Sequence, residues 1–207
     1  QAKVDTAQAE YDEHARELSK VRAKTARALG QAVTEAMQTL AMQGGSFTIE
    51  LQDSPASAQG LETIVFNVAG HAGSTPRPLA KVASGGELAR ISLALSVMAN
   101  QASQVPTLIF DEVDTGVGGA VAEVVGKLLR ALGQRHQVLC VTHLPQVAAC
   151  AHQHFEVSKQ LNDGVTTSQI SLLSEGERIQ EIARMLGGMK ITETTRQHAQ
   201  EMLAHQD

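Results

Sequence analysis

Thr107-Leu108-Ile109-Phe110-Asp111-Glu112 is the stretch from which the fold can be read. A short apolar run ending in two adjacent carboxylates suits a strand buried on both faces that delivers acids to its C-terminal end. A second apolar run, Val138-Leu139-Cys140-Val141-Thr142, ends in the same way on His143. Between them, residues 117–133 carry a helical pattern. Further out, helical patterns over 85–101 and 145–151 and strand patterns over 154–159 and 165–172 continue the alternation. Such alternation predicts an α/β fold with a mainly parallel sheet flanked by helices. Two closing helices are predicted at about 176–186, stopped by Gly187-Gly188, and 192–205.

Upstream, residues from about 3 to 43 hold no proline and only one glycine, Gly30, and read as a single long helix. Val4, Ala7, Tyr11, His14, Leu18, Val21, Thr25 and Ala28 alternate spacings of three and four, an a/d heptad register. Leu29, Val33, Met37 and Leu40 then shift toward a 3.6-residue period. The pattern predicts the end of a coiled-coil arm over 1–44 running into a globular domain over 45–207; an ordinary amphipathic helix is the alternative. Gly44-Gly45 are expected to end the helix. Ser46–Leu51 and Glu62–Val68 read as an antiparallel hairpin joined by a long loop over 53–60, and residues 69–78 as a further loop.

Composition narrows the class. The 207 residues are 43% apolar, enough to fill a core, and no run is long enough to span a membrane. There is no secretory signal pattern. A start at Gln1 in mid-helix is expected of a fragment. Cys140 and Cys150 match neither a metal knuckle nor a redox pair and are expected to be reduced thiols, which fits a cytoplasmic chain. A net charge of −5 argues against a surface that grips nucleic acid everywhere. Four Phe, one Tyr and no Trp make a base-stacking platform improbable.

The chemistry concentrates at three places. Ser84-Gly85-Gly86-Glu87 opens the helix at 85 and matches a capping box. The capping box explains Ser84 and Glu87 but not two glycines, each costing up to roughly 1 kcal/mol in a helix relative to Ala. Bare amides at a helix N-terminus suit an anion such as the γ-phosphate of a nucleotide. Neighbouring strand residues point to opposite sides. Asp111 can therefore face a Mg²⁺ bridging phosphate oxygens, while Glu112 polarises an attacking water as general base. Two solvated acids at a strand end are the alternative. His143, one strand over, is placed to hold the γ-phosphate or that water. His152 and His154 match no zinc spacing with it.

Asp111 follows Ser84 by 27 residues and His143 follows Glu112 by 31. In this order the pieces read as the second half of an ABC-type ATP-hydrolysing head. The first half is absent, because no Gly-x4-Gly-Lys-Ser/Thr loop occurs here. The only Gly-Lys pair, Gly126-Lys127, has Val121 and Leu128 where that loop needs Gly and a hydroxyl.

Roughly residues 45–205 resemble the C-terminal half of the RecN family, bacterial SMC-like proteins of DNA double-strand break repair. The similarity lies in Pro78–Leu88, in Ile109–Gly119, in Val141–Ala148, and in a tail of Ile182–Gly188 with Ile191-Thr192. The resemblance implies an SMC-like ATPase head that uses ATP and Mg²⁺, homodimerises around ATP and acts on DNA in the cytoplasm at the nucleoid. It implies a phosphate loop in an N-terminal half of the same protein, beyond a long antiparallel coiled coil. It makes Ser84, Gly85, Gly86 and Glu87 the signature that meets ATP held by the opposite head. Asp111 becomes the Mg²⁺-linked acid, Glu112 the catalytic base, Asp114 a nucleotide-contacting acid of the D-loop and His143 the switch histidine. His71-Ala72-Gly73 replaces the usual Asn-Pro-Gly, and Ala89 a common Ser; both lie outside the chemistry. A chromosome-tethering SMC-type protein and a transporter nucleotide-binding domain are the alternatives. Neither a transporter's single continuous domain nor its tail matches this chain. Finally, Lys20, Lys24 and Arg27 fall on one helical face with no acid between Glu17 and Glu35, and are candidate DNA-phosphate contacts.

Overall fold

The computed structural model describes residues 1–82, 84–99, 105–162, 165–187 and 191–204. The expected helix end at 100–101, the stop at Gly188 and the last helical residue, 205, lie outside them. The chain forms two compact units, 1–103 and 104–207.

The first unit is built on helix α1, Ala2–Thr39, lying along the hairpin of β1, Ser46–Ser57, and β2, Gly60–Ala69. Strand β3, Arg77–Pro78, adds two residues to the far edge of β2, a 3-10 turn follows at Leu79–Lys81, and α2, Gly85–Met98, packs on α1. Val33, Met37, Leu40, Phe47, Val68, Ile91 and Leu93 make the core. Gly30 is explained by close approach: a Cβ there would stand 3.3 Å from the Phe47 carbonyl oxygen.

Two expectations are corrected here. The helix ends at Thr39, before the two glycines, because Ala41 takes the left-handed conformation (φ 58°) and the Met42 amide returns to the Met37 carbonyl at 3.2 Å. That is a Schellman turn with alanine in the glycine position; Leu40 and Met42, both buried, hold it. The hairpin also has no long loop. Its strands run to Ser57 and from Gly60, with an irregularity between Asp53 and Ser57 that contains Pro55. A residue without an N–H is tolerated where the ladder is already broken.

The face of α1 that the hairpin covers is a stripe of small residues, including Ala15, Ala26 and Gly30, continuing into Val33 and Met37. Heptad positions Val4, Leu18 and Val21 stay exposed. Tyr11 and Arg22 fasten the hairpin tip. The Tyr11 hydroxyl lies 3.0 Å from the Ser57 carbonyl and 3.2 Å from that of Gly60, and accepts from the Ser57 amide. Ser19 and Arg22 both donate to the Glu62 carboxylate, Arg22 at 3.1 Å. The Ser19 hydrogen bond foremost, with Arg22 adding to it against the cost of desolvation, holds Glu62 below the usual carboxylate range. A carboxylate held low in the folded state stabilises it above its ordinary titration range and loses that contribution as pH falls through the lowered value.

In the second unit β4, Thr107–Phe110, and β5, Gln137–Cys140, pair in parallel across α3, Gly119–Leu132. Helix α4, Pro145–Ala149, packs on α3. Gly126 is a packing residue, where a Cβ would come within 2.6 Å of the Cys150 sulfur, while Lys127 is exposed and paired with Glu123. Strands β6, Phe155–Asn162, and β7, Val165–Leu172, do not extend the parallel pair but form an antiparallel hairpin of their own. Their two-residue connection leaves no room for a crossover. Helices α5, Glu175–Gly187, and α6, Glu193–Ala204, close on α4 through Ala148, Ala149, Ile182, Ala183 and Ala199. Among the described residues no helix is long and apolar enough to cross a membrane.

Candidate functional site

In the first unit, Ser84 is the N-cap of α2. Its hydroxyl accepts from the Glu87 amide at 3.3 Å, so the capping half of the expected motif is realised. Ser84 and Gly85 are exposed and Gly86 is buried. The Glu87 side chain lies against Gly70, where a Cβ would stand 3.4 Å from a carboxylate oxygen. It forms one wall of a cleft of about 430 Å³ shared with His71, Ser74, Thr75 and Arg77. Below it Arg90 is 6% exposed; burial lowers its pKa, with Glu87 opposing the shift. Lys20, Lys24 and Arg27 are all exposed on α1, whereas Arg22 is committed to Glu62.

In the second unit, β4 ends at Phe110, so Asp111 and Glu112 both lie past the strand, exposed, in a turn. Strand alternation therefore does not separate them, as the residue pattern had implied. Glu112 instead adopts a left-handed backbone, φ 57°, at a cost of roughly 1–2 kcal/mol for a residue with a Cβ. The Asp111 carboxylate accepts the Glu112 amide at 2.9 Å, and the Thr115 amide returns to the Glu112 carbonyl at 3.1 Å. Strain of this kind, held by local bonds, is characteristic of functional turns.

Strand β5 brings His143 beside this turn. The Val141 amide donates to the Phe110 carbonyl at 2.9 Å, extending the ladder to the ends of both strands. Asp114, expected to be a nucleotide contact, is 1% exposed and already engaged. One of its oxygens accepts the Thr142 hydroxyl at 2.5 Å and the His143 amide at 3.3 Å, and lies 3.6 Å from the His143 ring Nδ1. The His143 side chain itself is 71% exposed. Thr142 was not foreseen; a hydroxyl residue immediately before a strand-end histidine was the available signal. Burial, then Asp114 and Asp111, push the Cys140 thiol up to about 12, so it is no nucleophile at neutral pH. Among the described residues no cluster of three or more His, Cys, Asp or Glu could by itself cage a metal. The two exposed carboxylates at the β4 end offer hard oxygen donors of the kind Mg²⁺ takes together with phosphate oxygens.

These strand ends sit in a sequence with clear relatives. The chain is 48% identical over 204 residues to the DNA repair protein RecN of Xylella fastidiosa strain 9a5c, covering 97% of this chain and 37% of that protein. It is 49% identical over 188 residues to the DNA repair protein RecN of Haemophilus influenzae, covering 90% and 34%. The chain belongs with the RecN proteins. It spans little more than a third of the length of these RecN relatives. No protein-family model matches the chain. Solved structures agree on the fold. The Smc head domain with a coiled coil and joint from Pyrococcus yayanosii superposes with a TM-score of 0.64 at 23% identity, over 87% of this chain and 33% of that one. An SMC ATPase described for ATP-driven dimerization and DNA-stimulated activation gives 0.51 at 22%, over 83% and 99%. The RecN likeness and the SMC head fold thus agree with the α/β head expected from the strand-end acids.

Proposed function

We propose that this chain is the C-terminal part of an SMC-like ATPase head in a DNA repair protein, acting at the nucleoid on double-strand breaks. The observation that carries the reading is the join of the Asp111-Glu112 turn to His143 at neighbouring strand ends, within a chain nearly half identical to DNA repair proteins. In this reading ATP binding closes two heads on each other and hydrolysis releases them. Mg²⁺ supplies charge neutralisation of the phosphates. Asp111 holds it, Glu112 takes the proton of the attacking water, and His143 orients that water or the γ-phosphate through the ring face it leaves exposed. Ser84, Gly85 and Gly86, with Glu87 bracing the turn, meet ATP carried by a second head; the helix N-terminus favours its negative charge.

The remainder of the polypeptide supplies the phosphate loop and covers Ile109, Leu139 and Val141, which leave an apolar face of the β4–β5 pair exposed. It also supplies a partner helix for Val4, Leu18 and Val21 on the 1–44 arm. The chain by itself is accordingly expected to show no measurable ATP turnover and ATP affinity weaker than millimolar. Calorimetry giving micromolar affinity for the chain alone would refute the half-site reading. Joined to the N-terminal part of a RecN protein, it is expected to hydrolyse ATP.

Lys20, Lys24 and Arg27 are proposed to touch DNA phosphates. Changing all three to Glu in the joined protein is expected to weaken DNA binding and to flatten its salt dependence by up to about three contacts. Basal ATPase should be unaffected. Unchanged affinity and slope would make this face a solvated flank.

A further inference from the structure

We infer that Asp114 and Thr142 are positioning residues, a cross-link from the buried Asp114 carboxylate that locks the turn carrying Glu112 to the loop carrying His143. The inference rests on the ATPase reading above and gives Asp114 a different task from the nucleotide contact its place in the turn suggested.

Asp114 is the only buried acid among the described residues. A buried carboxylate costs several kcal/mol unless it is hydrogen-bonded, so its bonds say what it is for. Those of its carboxylate lead to the loop after β5. The Thr142 hydroxyl donates its single proton to the carboxylate at 2.5 Å, and the His143 amide adds a second bond at 3.3 Å. The Thr142 oxygen also accepts the Leu144 amide at 3.0 Å, and Leu144 is the N-cap of α4. One carboxylate therefore fixes residues 142, 143 and 144 in sequence. At its other end Asp114 is built into the strained turn, where the Val117 amide bonds the Asp114 carbonyl at 3.3 Å, one step from the Thr115–Glu112 bond.

The direction of the link matters. Glu112 and His143 are both exposed and make no side-chain hydrogen bond to each other, so nothing on their own tips sets their spacing. Asp114 is buried and Thr142 half-buried, whereas Glu112 and His143 are exposed. A base and an orienting group must hold their relative position closely; a misplacement of about 1 Å can cost on the order of 10²-fold in rate. With the Asp114 carboxylate buried and spent on Thr142 and His143, loss of the cross-link should change kcat and leave KM for ATP alone.

The test uses the complete ATPase, this chain joined to the N-terminal part of a RecN protein. Thr142→Val is expected to lower kcat roughly ten- to a hundredfold with KM for ATP within about twofold. Thr142→Ser, which keeps the hydroxyl, should restore most of it. Asp114→Asn should lower kcat at least as far. Hydrogen exchange supplies a readout independent of ATP: the His143 and Leu144 amides should exchange at least about tenfold faster in Thr142→Val and Asp114→Asn, while amides of α5 are unchanged. Full kcat in Thr142→Val, equal loss in Val and Ser variants, or a raised KM with intact kcat in Asp114→Asn would each overturn the inference. A parental protein that turns over ATP while both variants match it sinks the positioning role alone. A parental protein with no turnover sinks the ATPase reading and the positioning role with it.

Discussion

Glu112→Gln should leave the fold and ATP binding intact and remove hydrolysis. Glu112 is exposed and its carboxylate makes no hydrogen bond among the described residues, so the amide keeps size and backbone preference while losing the ability to accept a proton. General-base loss of this kind costs about 10²–10⁴ in rate. In the joined protein the variant is expected to accumulate as an ATP-bound dimer, read by light scattering with and without ATP. Turnover within twofold of the parent would remove Glu112 from the role. A dimer that fails to accumulate despite lost turnover would place Glu112 in binding instead.

Ser84→Arg is expected to abolish ATP-dependent dimerisation while nucleotide binding by the same head survives. Two effects of the substitution can be separated. It deletes the N-cap hydroxyl, worth roughly 1 kcal/mol to α2, and it fills the space in front of the Gly85 amide. Ser84→Ala deletes the cap without filling the space and should still dimerise, with a small loss in stability. An ATP-dependent dimer peak that persists with arginine would show that the signature turn is not where the second head docks.

The two strand ends were legible in the sequence because a short apolar run closed by charged residues fits a strand that surfaces at one end; burial on both faces, also expected, is not seen, since Ile109, Leu139 and Val141 are exposed. Helices α2, α3, α5 and α6 were legible through their periodicity. What the residues could not disclose depended on partners distant in sequence. The buried face of α1 is chosen by a hairpin that begins at Ser46, and small residues along a helix do not announce that a sheet will lie on them. The strand through Pro55 was hidden because proline reads as a break unless the ladder is already irregular there. Asp114 is the sharpest case. In a glycine-rich turn an aspartate reads the same whether it points to solvent or folds underneath, and only the folded chain reveals Thr142 as its partner. The pairing of β6 with β7 could have been foreseen from the short stretch between the strands expected at 154–159 and 165–172, which is too short for a parallel crossover.

The fastening of the hairpin tip at Tyr11, Ser19 and Arg22 makes the base of α1 a cantilever clamped at both ends. From Tyr11 to the turn at Leu40 the helix climbs about 45 Å, at 1.5 Å per residue, and over that distance a two-stranded hairpin stiffens it against bending. Bending is thereby confined to the residues before Tyr11. Helix α1 also packs on α2, the helix capped by Ser84. If a second head docks at Ser84 as proposed, the load it places there would pass through α2 and α1 to the arm.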